Sequence, residues 1–156
     1  MKTIWINDEK EVEKIILGCP ICFVGVADKN GIPYVFPMNF GYENGEIFLH
    51  SAQEGLMIEI LKQNNNACIT FCSGSKIKYQ HPDMACSYRM DSKSVICHGK
   101  IVFEEEFDEK TKALNIIMRT YSNKEFKYGD PSVRNVKIWR MKIEKMTAKA
   151  FGQPHV

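Results

Sequence analysis

The stretch at residues 34–57, YVFPMNFGYENGEIFLHSAQEGLM, limits the possible folds more than any other part of the chain. It reads as a strand, a tight turn, a second strand and a helix start. Asn44-Gly45 is a strong hairpin signal, because both turn positions tolerate positive φ. Pro33 and Pro37 lack an N–H, so their strand belongs at a sheet edge or a bulge. A second Asn-Gly pair, Asn30-Gly31, joins strand-like residues 21–27 to residues 32–40. Two-residue hairpins make antiparallel neighbours, which excludes a doubly wound parallel sheet. The expected architecture is mainly β with helices: a split antiparallel β-barrel of roughly six to seven strands, its open ends covered by about three helices.

The remaining elements follow from periodicity. A helix is expected at 8–17, with Asp8 and Glu11 at capping-box spacing and Gly18 as its stop. Val12, Ile15, Ile16 and Cys19 form its inward stripe. In the strand at 46–50, Ile47 and Leu49 share one face, and Phe48 and His50 the other. Ser51 and Glu54, again at capping-box spacing, open a helix at 54–62 whose inward side is Met57, Ile60 and Leu61. A strand is expected at 67–72. Residues 84–103 read as two strands separated at MDSKS (90–94) by a bulge or turn. A helix at 108–122 carries the stripe Leu114, Ile117, Met118 and Tyr121. The last strand is expected at 136–146, with an irregular tail beyond it. No repeat, linker or low-complexity segment divides the chain, so residues 1–156 read as one domain.

Composition narrows the function. With 44% hydrophobic and 26% charged residues, the chain is ordinary globular material. A net charge of +2 without a basic block argues against a nucleic-acid binder. No apolar run approaches the roughly 20 residues of a membrane span. The N-terminus carries acids and lysines where a signal peptide needs apolar residues, so a cytoplasmic location is expected. The six cysteines then read as free thiols. Cys19-Pro-Ile-Cys22 lies between a helix end and a strand start, the wrong context for a redox pair. Cys68 and Cys72 share a strand face without a second ligand pair, and His50, His81, His98 and His155 show no metal-ligand spacing, so no metal site is expected.

The chain has no nucleophile elbow, P-loop or G-x-G-x-x-G. The remaining signal is an anion site at Ser51, where a helix start presents free N–H groups beside His50. Lys93, between Ser92 and Ser94, is a second basic element that would reach it. The plainer alternative is that Ser51 caps a helix and Lys93 is solvated.

Taken together, V-F-P-M-N-F, I-F-L-H-S-A-Q-E-G-L-M, N-x-x-A-C, K-S-V-I-C-H-G-K and A-L-N-I-I-M resemble the pyridoxamine 5′-phosphate oxidase-like split-barrel flavoproteins, in particular the nitroimidazole-resistance branch. The resemblance runs over nearly the whole chain. It implies FMN, held between the subunits of a homodimer, with the phosphate at His50, Ser51 and Ala52. Pro37, Met38 and Asn39 would pass the flavin ring. Lys93 would pair with phosphate, Ser94 would reach the flavin, and Ser92 and Val95 complete that segment. Relatives usually carry Arg where this chain has Lys93, and commonly a phosphate-binding lysine where it has Met57, so weaker FMN binding or a substitute such as Arg89 is expected. Trp139 and Lys149 would line the site from the partner subunit, with ordinary interface core as the alternative for Trp139. Pyridoxamine phosphate oxidases proper carry an arginine-rich C-terminal motif; this sequence reads FGQPHV there, so vitamin B6 chemistry is not expected.

The implied function is reduction of small molecules, such as nitro-aromatics, with nicotinamide-derived electrons. His50 is the candidate for proton transfer or substrate positioning, with a purely cofactor-contacting histidine as the alternative. A second reading is a non-catalytic flavin- or haem-binding protein, with His98 or His155 as axial ligand. A third is a thiol or metal sensor at Cys19 and Cys22.

Overall fold

The computed structural model describes residues 2–153; His155 lies outside them. The elements in chain order are β1 (Lys2–Trp5), α1 (Glu9–Leu17), β2 (Cys22–Ala27), β3 (Pro33–Met38), β4 (Gly41–Glu43), β5 (Glu46–Ala52), α2 (Leu56–Gln63), β6 (Asn66–Lys78), β7 (Arg89–Glu104), α3 (Phe107–Tyr121), α4 (Asp130–Arg134) and β8 (Val136–Gln153). A single 3₁₀ turn, Ala85–Ser87, sits between β6 and β7.

All strand pairings are antiparallel, in the order β3-β2-β6-β7-β8-β5-β4, with β1 added to β8. The spine is the pair β7–β8, in register from Ser92↔Phe151 to Glu104↔Ile138. On its other side, β8 pairs with β5 through its first half, from Ala52↔Val136 to Glu46↔Lys142. Its second half pairs with β1, from Trp5↔Lys149 to Lys2↔Gln153. The two ends of the path, β3 and β4, do not pair, yet only Asn39 and Phe40 separate them in the chain. Three Cα steps span at most about 11 Å, so the sheet must curl until its ends meet at this corner. The result is the expected split antiparallel barrel, built among the described residues from eight strands and four helices, against the six to seven strands and about three helices expected.

The barrel interior is one apolar cluster that includes Val24, Ile47, Leu49, Ile69, Phe71, Val95, Trp139 and Met141. α1 buries Val12, Ile15 and Ile16 against it, with Cys19 beyond the helix end also buried, as the stripe predicts. Its cap differs: the Asp8 Oδ1 accepts from the Lys10 N–H at 3.0 Å, and Glu11 pairs instead with Lys93. A smaller cluster holds Phe48 and Ile138 against Ala113, Ile116 and Ile117 of α3.

Several expected boundaries change. The strand entering the Asn44-Gly45 turn is the separate β4, while β3 pairs with β2. The turn itself is as expected, with φ of 50° and 77°. β7 runs unbroken through MDSKS; the irregularity lies across the ladder, where Ser75 of β6 adopts φ 69° beside Gly74. The α3 stripe is shifted to Lys110, Ala113, Ile116 and Ile117. β8 continues through the stretch expected to be irregular, and β1 and α4 had no sequence signal.

The corner between β3 and β4 is tightly held. Phe40 is fully buried, its ring edge-on to Phe71 at 4.8 Å. Its N–H donates to the Tyr121 hydroxyl at 3.0 Å, which in turn donates to the Pro20 carbonyl at 3.0 Å. At Gly41, a Cβ would stand 2.6 Å from the Ile117 backbone nitrogen. α3 can lie on β4 only because residue 41 has no side chain. Gly41→Ala is therefore expected to destabilise the fold by about 2 kcal/mol, the scale of overpacking a tight contact. A lowered urea midpoint at unchanged m reads this out, and an unchanged midpoint would show that α3 is not seated there.

Candidate functional site

The expected site residues fall into two groups. The first surrounds the C-terminal end of β5. His50, Ser51 and Ala52 stand opposite Ile138, Lys137 and Val136 of β8. Pro37, Met38 and Asn39 are carried to the same end of the barrel, because Gly41, three residues past Met38, pairs with Phe48. Trp139 is fully buried in the main core and its indole N–H donates to the Ser51 Oγ at 3.0 Å. The Ser51 hydroxyl in turn donates to the Ala52 carbonyl at 2.8 Å. Trp139 therefore acts inside its own barrel, holding Ser51.

The capping box expected at Ser51 and Glu54 is not formed. β5 extends through Ala52, and α2 begins only at Leu56, with Gly55 as N-cap at φ 142° and no side-chain cap. A positive φ of this kind is reached easily only by glycine, and it turns the chain sharply from strand to helix. The N-cap thus lies four residues beyond Ser51, and the free helix N–H groups open from there. Met57 is half-buried and packs against the main core, so it offers no charge to an anion.

His50 lies on the β5 face that carries Phe48. Its Nδ1 is buried and has no hydrogen-bond partner. A buried, unpaired polar atom costs about 1–3 kcal/mol, so a polar partner at this nitrogen would be stabilising. Burial also pushes the His50 imidazole below its ordinary value of 6.5.

The second group lies along the start of β7 and the end of β8. Ser92, Lys93, Ser94 and Val95 pair with Phe151, Ala150, Lys149 and Ala148. Val95 is fully buried in the core. The Lys93 Nζ sits 2.6 Å from the Glu11 Oε1 of α1, a half-exposed ion pair of the weak surface kind. Ser92 and Lys93 also line a cavity of about 450 Å³, with Lys14, Gly18, Ser73 and Lys76. Lys149 lies over the exposed Trp5 ring at 4.2 Å. The Arg89 Nε, four residues before Lys93, is buried and unpartnered.

One chain does not unite the groups along β8. His50 is level with Ile138 and Lys93 with Ala150, a separation of roughly 40 Å of strand contour at about 3.3 Å per residue.

Two polar residues with no sequence signal as site residues brace the first group. The Gln53 Nε2 donates to the carbonyls of Arg134 at 2.8 Å and Val136 at 2.9 Å. The Lys110 Nζ, itself buried, donates to the same Val136 carbonyl at 2.8 Å. Together they tie the end of β5 to α3 and the start of β8. Lys110 could have been found from its spacing to Ala113 and Ile117, which puts it on the buried face.

Cys19 and Cys22 are both buried, and their thiols meet the carbonyls of Ile15 and Met38. Burial pushes the Cys22 thiol up to about 12, and with both side chains almost inaccessible to solvent the pair has the setting of structural thiols. Among the described residues no group of three potential metal ligands occurs, and no helix is long and apolar enough to cross a membrane. His98 is exposed on the outer face of β7.

The depressed His50 value sets a pH dependence. The fold favours the neutral ring, so its contribution is fully present above pH 6.5 and is lost as pH falls from 6.5 through the lower native value. His50→Gln is expected to flatten the fall in urea midpoint between pH 7.5 and pH 5. Parallel midpoint curves for the two proteins would remove His50 as the titrating group.

Comparison with known proteins agrees with this architecture. The profile of the pyridoxamine 5′-phosphate oxidase family matches residues 8–150. No curated protein matches the chain significantly. Among solved structures, a protein provisionally assigned to 5-nitroimidazole antibiotic resistance in Bacteroides thetaiotaomicron is 53% identical, at a TM-score of 0.88 over 96% of this chain and 88% of that one. An FAD and heme binding protein from Mycobacterium smegmatis superposes at 0.84 with 12% identity, over 97% of this chain and 76% of that one. An FAD-binding protein from Mesorhizobium loti does so at 0.68 with 15% identity, over 98% and 99%. The latter two share the fold alone. With a family profile and a 53% identical relative each spanning most of its length, the chain belongs to the pyridoxamine 5′-phosphate oxidase family.

Proposed function

We propose that the chain is an FMN-binding oxidoreductase of small molecules, of the kind that reduces nitro-aromatics with nicotinamide-derived electrons, and that it works as a cytoplasmic homodimer. The observation that carries the reading is the buried, unpartnered Nδ1 of His50 at the end of β5. It needs a polar partner that the chain does not supply, in the segment where the family resemblance expects the cofactor. The unpartnered Arg89 Nε, four residues before Lys93 on β7, is a second orphan.

Bound flavin would supply the two-electron chemistry, taking reducing equivalents from a nicotinamide and passing them to the substrate. The chain's own residues do the rest. His50, kept neutral by burial, offers a hydrogen bond from Nδ1 and can hold a proton for transfer. Ser51 and Ala52 are held in place by Trp139 and braced by Gln53, so that the end of β5 is rigid. Lys93 and Arg89 supply positive charge for a phosphate that Met57 does not contact. Lys93 would exchange its weak pairing with Glu11 for that contact. All six cysteines are free, which fits a reducing cytoplasm.

The separation of the two groups along β8 supports the dimer. Two copies related by a two-fold axis can set the β5 end of one against the β7 start of the other. Purified protein is expected to be yellow, to take up FMN, and to bleach on addition of NADPH. Colourless protein that ignores added FMN overturns the reading. His50→Ala and Lys93→Ala should each weaken FMN binding about tenfold or more, the scale of a charge-assisted contact. Mixing the two variants should restore tight binding at about a quarter of the sites, since half of randomly paired dimers carry one intact site. No recovery would place each site within a single chain.

A further inference from the structure

One pair of reactive side chains belongs to neither group. Cys68 on β6 and His98 on β7 face each other across the ladder, with Sγ 4.0 Å from Nε2. Of the six thiols, this is the one that the described hydrogen bonds pair with a histidine. Cys72 and Cys86 are more exposed, while Cys19, Cys22 and Cys97 are buried.

The pair opens onto a groove of about 360 Å³ on the outer face of β2, β3 and β6. Its apolar walls include Ala27, Pro33 and Val35; Val26 and Ala67, which also line it, belong to the buried core. Gly25, next to Cys68 across the strands, forms the floor. A Cβ there would stand 3.9 Å from the Cys68 Cβ, so the missing side chain leaves the space beside the thiol open. Two polar wall residues are committed elsewhere: the Asn64 Nδ2 donates to the Ala27 carbonyl, and the Asn66 Nδ2 to the Asn64 Oδ1. His98 stands at a register shift between β7 and β8, where Gly99 passes so close that a Cβ would meet the Lys142 carbonyl oxygen. Bulges of this kind re-aim side chains.

We propose that Cys68 is a nucleophilic thiol served by His98 as its base, and that the groove accepts small, uncharged, conjugated electrophiles such as enones and quinones. Burial raises the Cys68 thiol, so the resting form keeps its proton and loses it during the reaction. The sulfur adds to the β-carbon of the conjugated alkene, forming the S–C bond as the π electrons move onto the carbonyl oxygen. The thiol proton passes to the His98 Nε2 and from there to the adduct. The step is an addition and needs no oxidant or reductant. A metal site is the weaker use of the same pair: structural zinc takes four protein ligands, and no group of three occurs among the described residues.

The test is limited labelling of the whole protein with N-ethylmaleimide, followed by peptide mass mapping. It is run with and without FMN, so that the result stands apart from the flavin reading. Cys68 is expected to react at least about tenfold faster than Cys72 or Cys86, and His98→Gln to slow Cys68 about tenfold, the low end of general-base assistance. Cys72 and Cys86 serve as internal controls whose rates should not move. Equal rates at Cys68 and the two exposed thiols, or an unchanged Cys68 rate in correctly folded His98→Gln, overturns the proposal.

Discussion

The ladder between β7 and β8 is the interaction on which the rest of the molecule depends. These are the longest strands, of 16 and 18 residues, and they pair along nearly their full length. Such a pair cannot lie flat, because strands in a sheet twist against one another by some 20–25°. Carried over this length, the twist coils the ladder and sends the two halves of β8 to different neighbours, β5 and β1. The barrel is split because its central strand serves two partners in turn. The same division places the end of β5 and the start of β7 far apart along one strand.

A single extra residue keeps that long strand productive. His98 pairs with Lys145 and Gly99 with Ile143, so Glu144 has no partner on β7. Before it, Trp139 and Met141 are buried; after it, Ala148 and Ala150 are. The inward phase of β8 passes from odd to even positions while β7 keeps its own. This is why the strand could be read from the sequence only as far as Met146: alternation is the signal, and the bulge reverses it. The reverse held for α1, where a stripe without interruption predicted every buried residue. β1 was invisible for another reason. Its four residues are all exposed, so it has no buried face to leave a pattern.

The site was legible in part, and the division is physical. Residues that act through backbone position, such as the Asn44-Gly45 turn and the alternation of Ile47 and Leu49 with Phe48 and His50, follow from local rules. Ser51 was misjudged because capping-box spacing is met by many segments that form no cap, and here the Trp139 indole claims its hydroxyl. The pairing of Lys93 with Glu11 was not foreseen, because Glu11 lies 82 residues away in sequence. Contacts of that range have no local signature. Neither does an orphaned atom: that the Nδ1 of His50 is buried and unpaired depends on everything packed around it.

The prolines of β3 have a consequence for how this protein survives in solution. A barrel left open along one seam exposes a strand edge, and an exposed edge is an invitation to a neighbouring molecule's strand. Here that edge carries Pro33 and Pro37, at two of its six positions, with no N–H to give. An invading strand would find its ladder broken at every attempt. The chain can therefore keep a gap in its wall, beside the residues that would receive a ligand, without becoming the first link of a fibre.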